Sequence, residues 1–513
     1  MKTQTHDVTE PQQFDDIGRL LASHARDSDH SAIVFGDTSI TYGQLLAQVR
    51  HVAALLSDVP VRRGDRVLIL AANTPAYLVN YLAVVELGAV FIPVHVDLAP
   101  PEISYIVQHA EPALVICDPE LWSKLAEAGV PSGTPVFAPD WYQNDGYLAA
   151  PGSPADAPAY ERHPDDDVLI CYTSGTTSSP KGVTASHRVE IASASGFGTM
   201  WQITREDTFT VALPLSSLFG LHTASFVALA HGATILLLPR FNPVLVLEAI
   251  EAYRPTVFLG VPTMYAMMLE HVRQTGKRYD LSSIRLAVAS GAALPSALKE
   301  GFRALLGVEI VEYYALSEIR PVFSPDLRMR MPVPEGSVGY LAPNTEARIL
   351  DEHGKRVDDG NIGSLFLRAP SLMKSYFRDP ERTAAAIRDG WFETGDLVRR
   401  EGDFYFLAGR TRDQIICGGA KISALEVEDV LSRHEGVLAA AVIGVPDDKY
   451  GQLVRAVVVR REGADVTVEE LAQHCAKSLA AYKIPRSFIF MARLPVGPTG
   501  KVLKRELEAA LAA

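Results

Sequence analysis

The sequence predicts an α/β protein: a large N-terminal domain of layered sheets and helices with a β-rich subdomain, followed by a small α+β C-terminal domain. Three observations predict it. From Arg19 to about Glu335, short apolar runs of β-type residues alternate with helical stretches, the rhythm of a buried sheet covered by helices. Beyond Glu335 the texture turns to short alternating strands and glycine turns, and after Arg410 it returns to mixed α/β. Finally, 513 residues exceed the size at which a single core stops growing, so at least two domains follow. The boundary is placed after Arg410, giving domains 1–410 and 411–513.

Along the chain, Arg19 to Leu56 reads as helix, strand, helix around the β-type Ala32 to Phe35 and a turn at Gly36 and Asp37. Val67 to Ala71 and Val90 to Val94 read as strands bracketing a helix from Tyr77 to Leu87, a crossover unit. A polar stretch with Pro151, Pro154, Pro158 and Pro164 cannot stay helical and delivers the chain to a strand from Asp167 to Tyr172. Strands follow at Thr234 to Leu238, Val257 to Leu259, Leu286 to Ala289 and Glu309 to Tyr313, with helices at Pro243 to Ala252 and Pro295 to Leu306. The β-rich part has strands at Arg348 to Leu350, Gly363 to Arg368 and Phe404 to Phe406. The last hundred residues carry helices from Ala424 to Leu431 and Thr467 to Leu479, and strands from Leu438 to Gly444 and Val454 to Arg460. No repeat of fixed period runs through the chain, which argues against a solenoid.

Composition narrows the class of function. A formal net charge of −13 gives no general attraction to nucleic acid or anionic membranes. The first fifteen residues lack an apolar core, so no secretory signal is expected, and no run of about 18 apolar residues offers a membrane span. Cys117, Cys171, Cys417 and Cys475 lie far apart and form no CxxC pair, which fits a reducing cytoplasm. The oligomeric state, a homodimer included, stays open.

The chemistry begins directly after the strand Val168-Leu169-Ile170-Cys171-Tyr172. There Thr173-Ser174-Gly175-Thr176-Thr177-Ser178-Ser179-Pro180-Lys181-Gly182 forms a run of small hydroxylated residues and glycines ending in a lysine. Backbone N–H groups exposed by tight turns, with Ser and Thr hydroxyls, can donate to phosphate oxygens while Lys181 supplies a positive charge. The spacing is not that of GxxxxGK[ST]. Instead, Tyr172 to Val183 closely resembles the YTSGTTGxPKGV element of the acyl-adenylate-forming superfamily, which includes acyl- and aryl-CoA synthetases, luciferase and peptide-synthetase adenylation domains. Ser178 stands where that family usually has a third glycine.

Four further segments match the same family in its order. Tyr314-Ala315-Leu316-Ser317-Glu318 resembles YGxTE, which implies a phosphate contact for the hydroxyl of Ser317 and an Mg²⁺ role for Glu318; Ala315 and Ser317 replace the family's Gly and Thr. Such chemistry needs a carboxylate-held cation where charge builds on the α-phosphate. Trp391 to Asp396 resembles W-x-x-TGD, which implies that Asp396 accepts hydrogen bonds from both ribose hydroxyls. Gly409 to Asp413 resembles GRxKD, which implies that Arg410 reaches the nucleotide and that Arg412 is a hinge letting a mobile C-terminal domain rotate. Pro498-Thr499-Gly500-Lys501 resembles the loop that carries the family's catalytic lysine, which would stabilise the charge at the α-phosphate. With Tyr314 these residues make the implied ATP and AMP site. The resemblance runs from about residue 15 to about 507.

The resemblance places the acid pocket in part at Leu213 to Leu221, including Ser216, Ser217 and Gly220, and in part at Gly260 to Thr263 and Ala289 to Ala293, including Gly291. No Asp or Glu occurs between Ala212 and Ala230, so an amino acid's α-ammonium would be buried unpaired; a non-amino-acid carboxylate, aromatic or aliphatic, is expected. Many acyl-CoA synthetases have an aromatic residue and a histidine where this chain has Ser216 and Ser217. An unusual acid or acceptor therefore stays open: an amine giving an amide, or a small oxyanion such as nitrite. Cys417 to Ile422 resembles the segment that lines the pantetheine tunnel of CoA ligases, with Gly418 and Gly419 giving a narrow passage, so CoA is the expected acceptor. Luciferase-like oxidation uses the same adenylation motifs. A catalytically inert binding module is disfavoured, because it has no use for Lys501, Glu318, Asp396 and Arg410 together.

Overall fold

The computed structural model describes residues 11–26, 29–59, 61–137, 161–173, 180–292, 294–329, 331–410, 414–417, 420–447, 449–497 and 502–511. Its architecture is layered α/β, as expected. Among the described residues, one sheet has seven strands in the spatial order Ile310–Glu312, Leu286–Ala289, Val257–Gly260, Thr208–Val211, Thr234–Leu237, Ser31–Phe35 and Thr38–Thr41. All its pairings are parallel except the last. The second seven-stranded sheet runs Ser375–Tyr376, Lys181–Ser186, Asp167–Thr173, Val90–Pro93, Arg66–Leu70, Leu114–Cys117 and Val136–Phe137, with the first two pairings antiparallel.

Alternation along Arg66–Leu70 shows how the layers form. Val67 and Ile69 join the large core shared with the first sheet, while Leu68 and Leu70 join a second core against the helix Pro100–Ala110. Both faces are buried, so the strand reads as a continuous apolar run. Between the sheets, the helix Pro75–Glu86 is buried from Pro75 to Val85, in keeping with apolar residues all round its surface.

A third, antiparallel sheet contains Glu346–Leu350, Ile362–Arg368, Trp391–Glu401, Phe404–Arg410 and Ile387–Arg388. The C-terminal residues have their own sheet, built on the hairpin of Val437–Asp447 and Gly451–Arg460, and their own apolar clusters, which hold no residue before Ile415. Arg410 ends a strand of the third sheet and Gln414 begins a strand of the C-terminal one.

The expected elements are present with boundaries shifted by a few residues. The helix expected from Thr467 runs Val468–Ala476, with Thr467 as its cap and Glu470 closing a capping box. The strand Lys181–Ser186 is not expected from its composition, KGVTAS, which carries little strand signal. Pairing with Asp167–Thr173 forms it, a tertiary effect that local propensity does not report.

Buried histidines give the fold a pH dependence. Burial pushes His187 and His231 down to about 4, and lowers His24, His95 and His222. The unfolded chain, with histidine near 6.5, then binds more protons than the folded one between the two values, so stability is present above about 6.5 and is lost as pH falls towards 4. Each of His187 and His231 is expected to cost about 2 kcal/mol between pH 7 and 5. The thermal midpoint should fall over that interval, less steeply in His187→Gln; equal slopes in both proteins would contradict this origin.

Candidate active site

Two clusters gather residues that lie far apart in sequence. In the first, Thr173 and Lys181 face each other across the antiparallel pair of strands, and Tyr376 lies on the next strand opposite Val183. Lys181 Nζ stands 3.6 Å from Glu318 Oε1 and donates to the Tyr376 hydroxyl at 3.3 Å. Tyr376 in turn donates to Glu318 Oε1 at 2.7 Å. Burial and the Glu318 charge push the Tyr376 phenol up, so it stays a neutral donor. Tyr105 donates to the Pro180 carbonyl at 3.1 Å and His109 Nδ1 meets the Tyr172 hydroxyl at 2.7 Å, tying the helix Pro100–Ala110 to both flanks of residues 174–179.

Glu318 is buried, and among the described residues no group of three or more His, Cys, Asp and Glu is placed to hold a metal. Tyr376 and Lys181 both engage Oε1 of Glu318, and a single carboxylate can be the one protein ligand of a cation such as Mg²⁺ that takes its other ligands from water and nucleotide phosphates.

In the second cluster, Asp396 lies opposite Arg410 in the third sheet, and Arg410 Nε donates to Oδ1 at 2.8 Å. The Tyr314 hydroxyl donates to Oδ2 at 2.5 Å. Between the pairs Phe366–Glu393 and Ser364–Leu397 the register of this strand slips and Gly395 there has φ +73°, a bulge on the side of Ile362–Arg368, while Asp396 keeps its pairing with Arg410 on the other side. Burial, then the neighbouring Asp396, pushes the Tyr314 phenol well up. Each carboxylate oxygen keeps lone pairs for further donors, the requirement for a diol ligand.

The two clusters share one loop, Tyr314 to Glu318, and a buried network holds that loop from beneath. Arg320 donates to the Ser317 carbonyl at 3.1 Å and pairs with Glu190, which meets His222 Nδ1 at 2.6 Å; His222 Nε2 meets Ser193 Oγ at 2.7 Å. Glu190 and His222 are fully buried. Burial would raise the Glu190 carboxyl, but Arg320 and His222 outweigh it and hold it low, while burial keeps His222 neutral. An ionised Glu190 only accepts, so His222 carries its proton on Nδ1 and Nε2 accepts from Ser193. Glu190, His222, Arg320 and Tyr376 were missed in the sequence; a charged residue within the small apolar run Val189 to Ala194 was the one signal that could have flagged the network.

The expected acid-pocket residues lie at carboxyl ends of parallel strands. Gly260 ends its strand, and Ser290 and Gly291 follow Leu286–Ala289, with Gly291 at φ +90°. Ser216 is buried. Ser217 Oγ is used within its own turn, donating to the Pro214 carbonyl and accepting from Gly220 N. A Cβ on Gly220 would collide with the Pro214 carbonyl, so that position has a packing reason for glycine. Ser174, Gly175, Thr176, Thr177, Arg412, Gly418, Gly419 and Lys501 lie outside the described residues.

A layered α/β body that brings a lysine and a buried carboxylate to one end of a shared loop, and a second carboxylate with its arginine and tyrosine to the other, has groups of the kind a nucleotide-using enzyme needs. The comparisons sharpen that class. The sequence profile described as "AMP-binding enzyme" matches residues 21–377, and that of "AMP-binding enzyme C-terminal domain" matches residues 426–501. A feruloyl-CoA synthase from an Amycolatopsis species is 34% identical, covering 96% of this chain and 98% of its own. A sulfoacetate–CoA ligase from Cupriavidus necator is 32% identical, covering 97% and 98%. The crystal structure of ATP-bound MatB from Rhodopseudomonas palustris superposes with a TM-score of 0.86 at 32% identity, covering 96% and 98%. The chain belongs to the AMP-binding enzyme family, the adenylate-forming superfamily, and stands among its acid–thiol ligases.

Proposed function

We propose that this enzyme activates a non-amino-acid carboxylate with ATP as an acyl adenylate, releasing pyrophosphate, and then transfers the acyl group to the thiol of coenzyme A. The observation that carries the reading is the pair of clusters joined by the loop Tyr314 to Glu318: one offers a lysine and a carboxylate, the other a carboxylate with free lone pairs. Lys181, with Thr173, Ser174, Gly175, Thr176 and Thr177 before it, binds the β- and γ-phosphates. Asp396 accepts from the ribose hydroxyls while Arg410 and Tyr314 fix its orientation. Bound Mg²⁺ would neutralise charge on the phosphates as the carboxylate attacks. Glu318 would be its protein ligand, with Tyr376 and Lys181 holding the carboxylate in place. Lys501 contacts the attacking carboxylate and the α-phosphate, and Gly418 and Gly419 give the pantetheine passage. The domain division falls between Arg410 and residue 411, where the chain leaves one sheet for another.

An acid panel assayed for pyrophosphate release and for acyl-CoA, with and without CoA, tests this. Acid-dependent pyrophosphate with acyl-CoA formed only when CoA is present is expected. Acid-dependent pyrophosphate without acyl-CoA, but with an amide formed when an amine is added, would move the acceptor to an amine.

Glu318→Gln keeps the shape and removes the charge, so its activity should fall by about tenfold or more and recover in part as Mg²⁺ is raised. A Mg²⁺ dependence identical to that of the unaltered enzyme would remove the metal role from Glu318.

A further inference from the structure

The relatives act on acids of very different reach, and the acid pocket carries an observation that bears on which of them this chain takes. In an open α/β sheet a ligand sits beyond the carboxyl ends of the parallel strands. Here the slot lies between the segment from Leu213 to Leu221, which follows Thr208–Val211, and the ends of Val257–Gly260, Leu286–Ala289 and Ile310–Glu312.

Its depth is closed. Tyr313 leaves the strand Ile310–Glu312 fixed to the neighbouring strand end: its N–H donates to the Ala289 carbonyl at 3.2 Å and its carbonyl accepts from Ser290 Oγ at 3.1 Å. Its ring meets Phe219, from the opposite wall, at 5.6 Å between centroids. The two walls are therefore in contact at that level. Behind them Phe197 and Trp201 stand edge-on to Tyr313 at 5.5 and 5.7 Å, and both are fully buried. Burial pushes the Tyr313 phenol up, so it remains a neutral group. Deeper still, Phe197 packs on His222, whose pairing with Glu190 and Arg320 forms a charged backing. An acid that reached past Tyr313 would have to displace its ring from a close-packed aromatic cluster and disturb a buried ion pair.

Resting on the reading of the site as an acid-activating one, we propose that Tyr313 is its specificity-determining stop and that the substrate is a compact carboxylic acid, a short aliphatic chain or a single ring, and not a long-chain or phenylpropenoid acid. The closed far wall sets reach.

Two measurements test it. Acyl-CoA formation is followed with acetate, butyrate, benzoate, decanoate and ferulate, and binding of butyryl-, benzoyl- and decanoyl-sulfamoyl-adenosine, unreactive mimics of the adenylates, is followed by calorimetry. The unaltered enzyme is expected to favour its best compact acid over decanoate and ferulate by about a hundredfold or more in kcat/KM. Tyr313→Ala should narrow that ratio by about tenfold or more, while Tyr313→Phe, which keeps the ring, should retain it. Decanoate or ferulate used as well as the best compact acid, or decanoyl- and butyryl-sulfamoyl-adenosine bound equally, would overturn the stop while leaving adenylation intact. Failure of all the sulfamoyl-adenosines to bind, with no pyrophosphate from any acid, would overturn the adenylating reading and this proposal with it.

Discussion

Lys501→Ala is expected to lower acid-dependent ATP–pyrophosphate exchange by at least about a hundredfold, the effect of losing one positioned charge at a transition state. The proposal places a cation beside both the attacking carboxylate and the α-phosphate, where negative charge gathers during transfer. Lys501 lies outside the described residues, but its flanks are held: Val502 bridges to Val496, Leu503 N donates to the Pro495 carbonyl at 2.9 Å, and Leu494 and Leu507 share an apolar cluster. The described residues on either side are thus anchored without the lysine, and its replacement should leave the thermal midpoint unchanged. Exchange at a near-normal rate in Lys501→Ala would remove it from the reaction.

Arg412→Pro is expected to separate the two half-reactions. In the proposed reaction Lys501 and the Gly418–Gly419 passage, both in the C-terminal part of the chain, serve successive steps at one site, which requires that part to turn between them. The chain passes from the third sheet at Arg410 to the C-terminal sheet at Gln414, which leaves residues 411–413 as the place for the rotation. Proline at 412 would fix its own φ near −65° and restrict the residue before it. Pyrophosphate exchange should stay within about tenfold of normal while transfer to CoA falls by about a hundredfold or more, a split of about 1.4 kcal/mol or more. Equal loss of both steps would count against a turning domain.

The parts of the site legible in sequence were those built from contiguous residues. Glu318 and Asp396 lie within short motifs that resemble those of the adenylate-forming superfamily, and the structure puts each in a cluster with another motif residue: Glu318 with Lys181, Asp396 with Tyr314 and Arg410. Tyr376 was not legible, because it reaches Glu318 only through pairing of Ser375–Tyr376 with a strand whose own sequence gives little strand signal. Glu190, His222 and Arg320 were hidden for a related reason: a buried ionic network shows itself only when three separate segments are packed together. The layered fold was easier to read, since strands such as Arg66–Leu70 and Val257–Gly260 are buried along most or all of their length and stand out as apolar runs. In sequence Tyr313 reads only as the end of a strand; its position against Phe219, which closes the pocket, depends on the distance between two walls that no local pattern encodes.

Passage of the acid through an acyl adenylate is tested most directly by oxygen-18 in the carboxylate of whichever panel acid supports pyrophosphate release. Attack of that carboxylate on the α-phosphate, followed by thiol attack on the acyl carbon, leaves one carboxylate oxygen on the phosphate. AMP isolated after turnover with CoA should therefore carry one labelled oxygen. Unlabelled AMP, or label recovered in inorganic phosphate alongside ADP, would contradict adenylation.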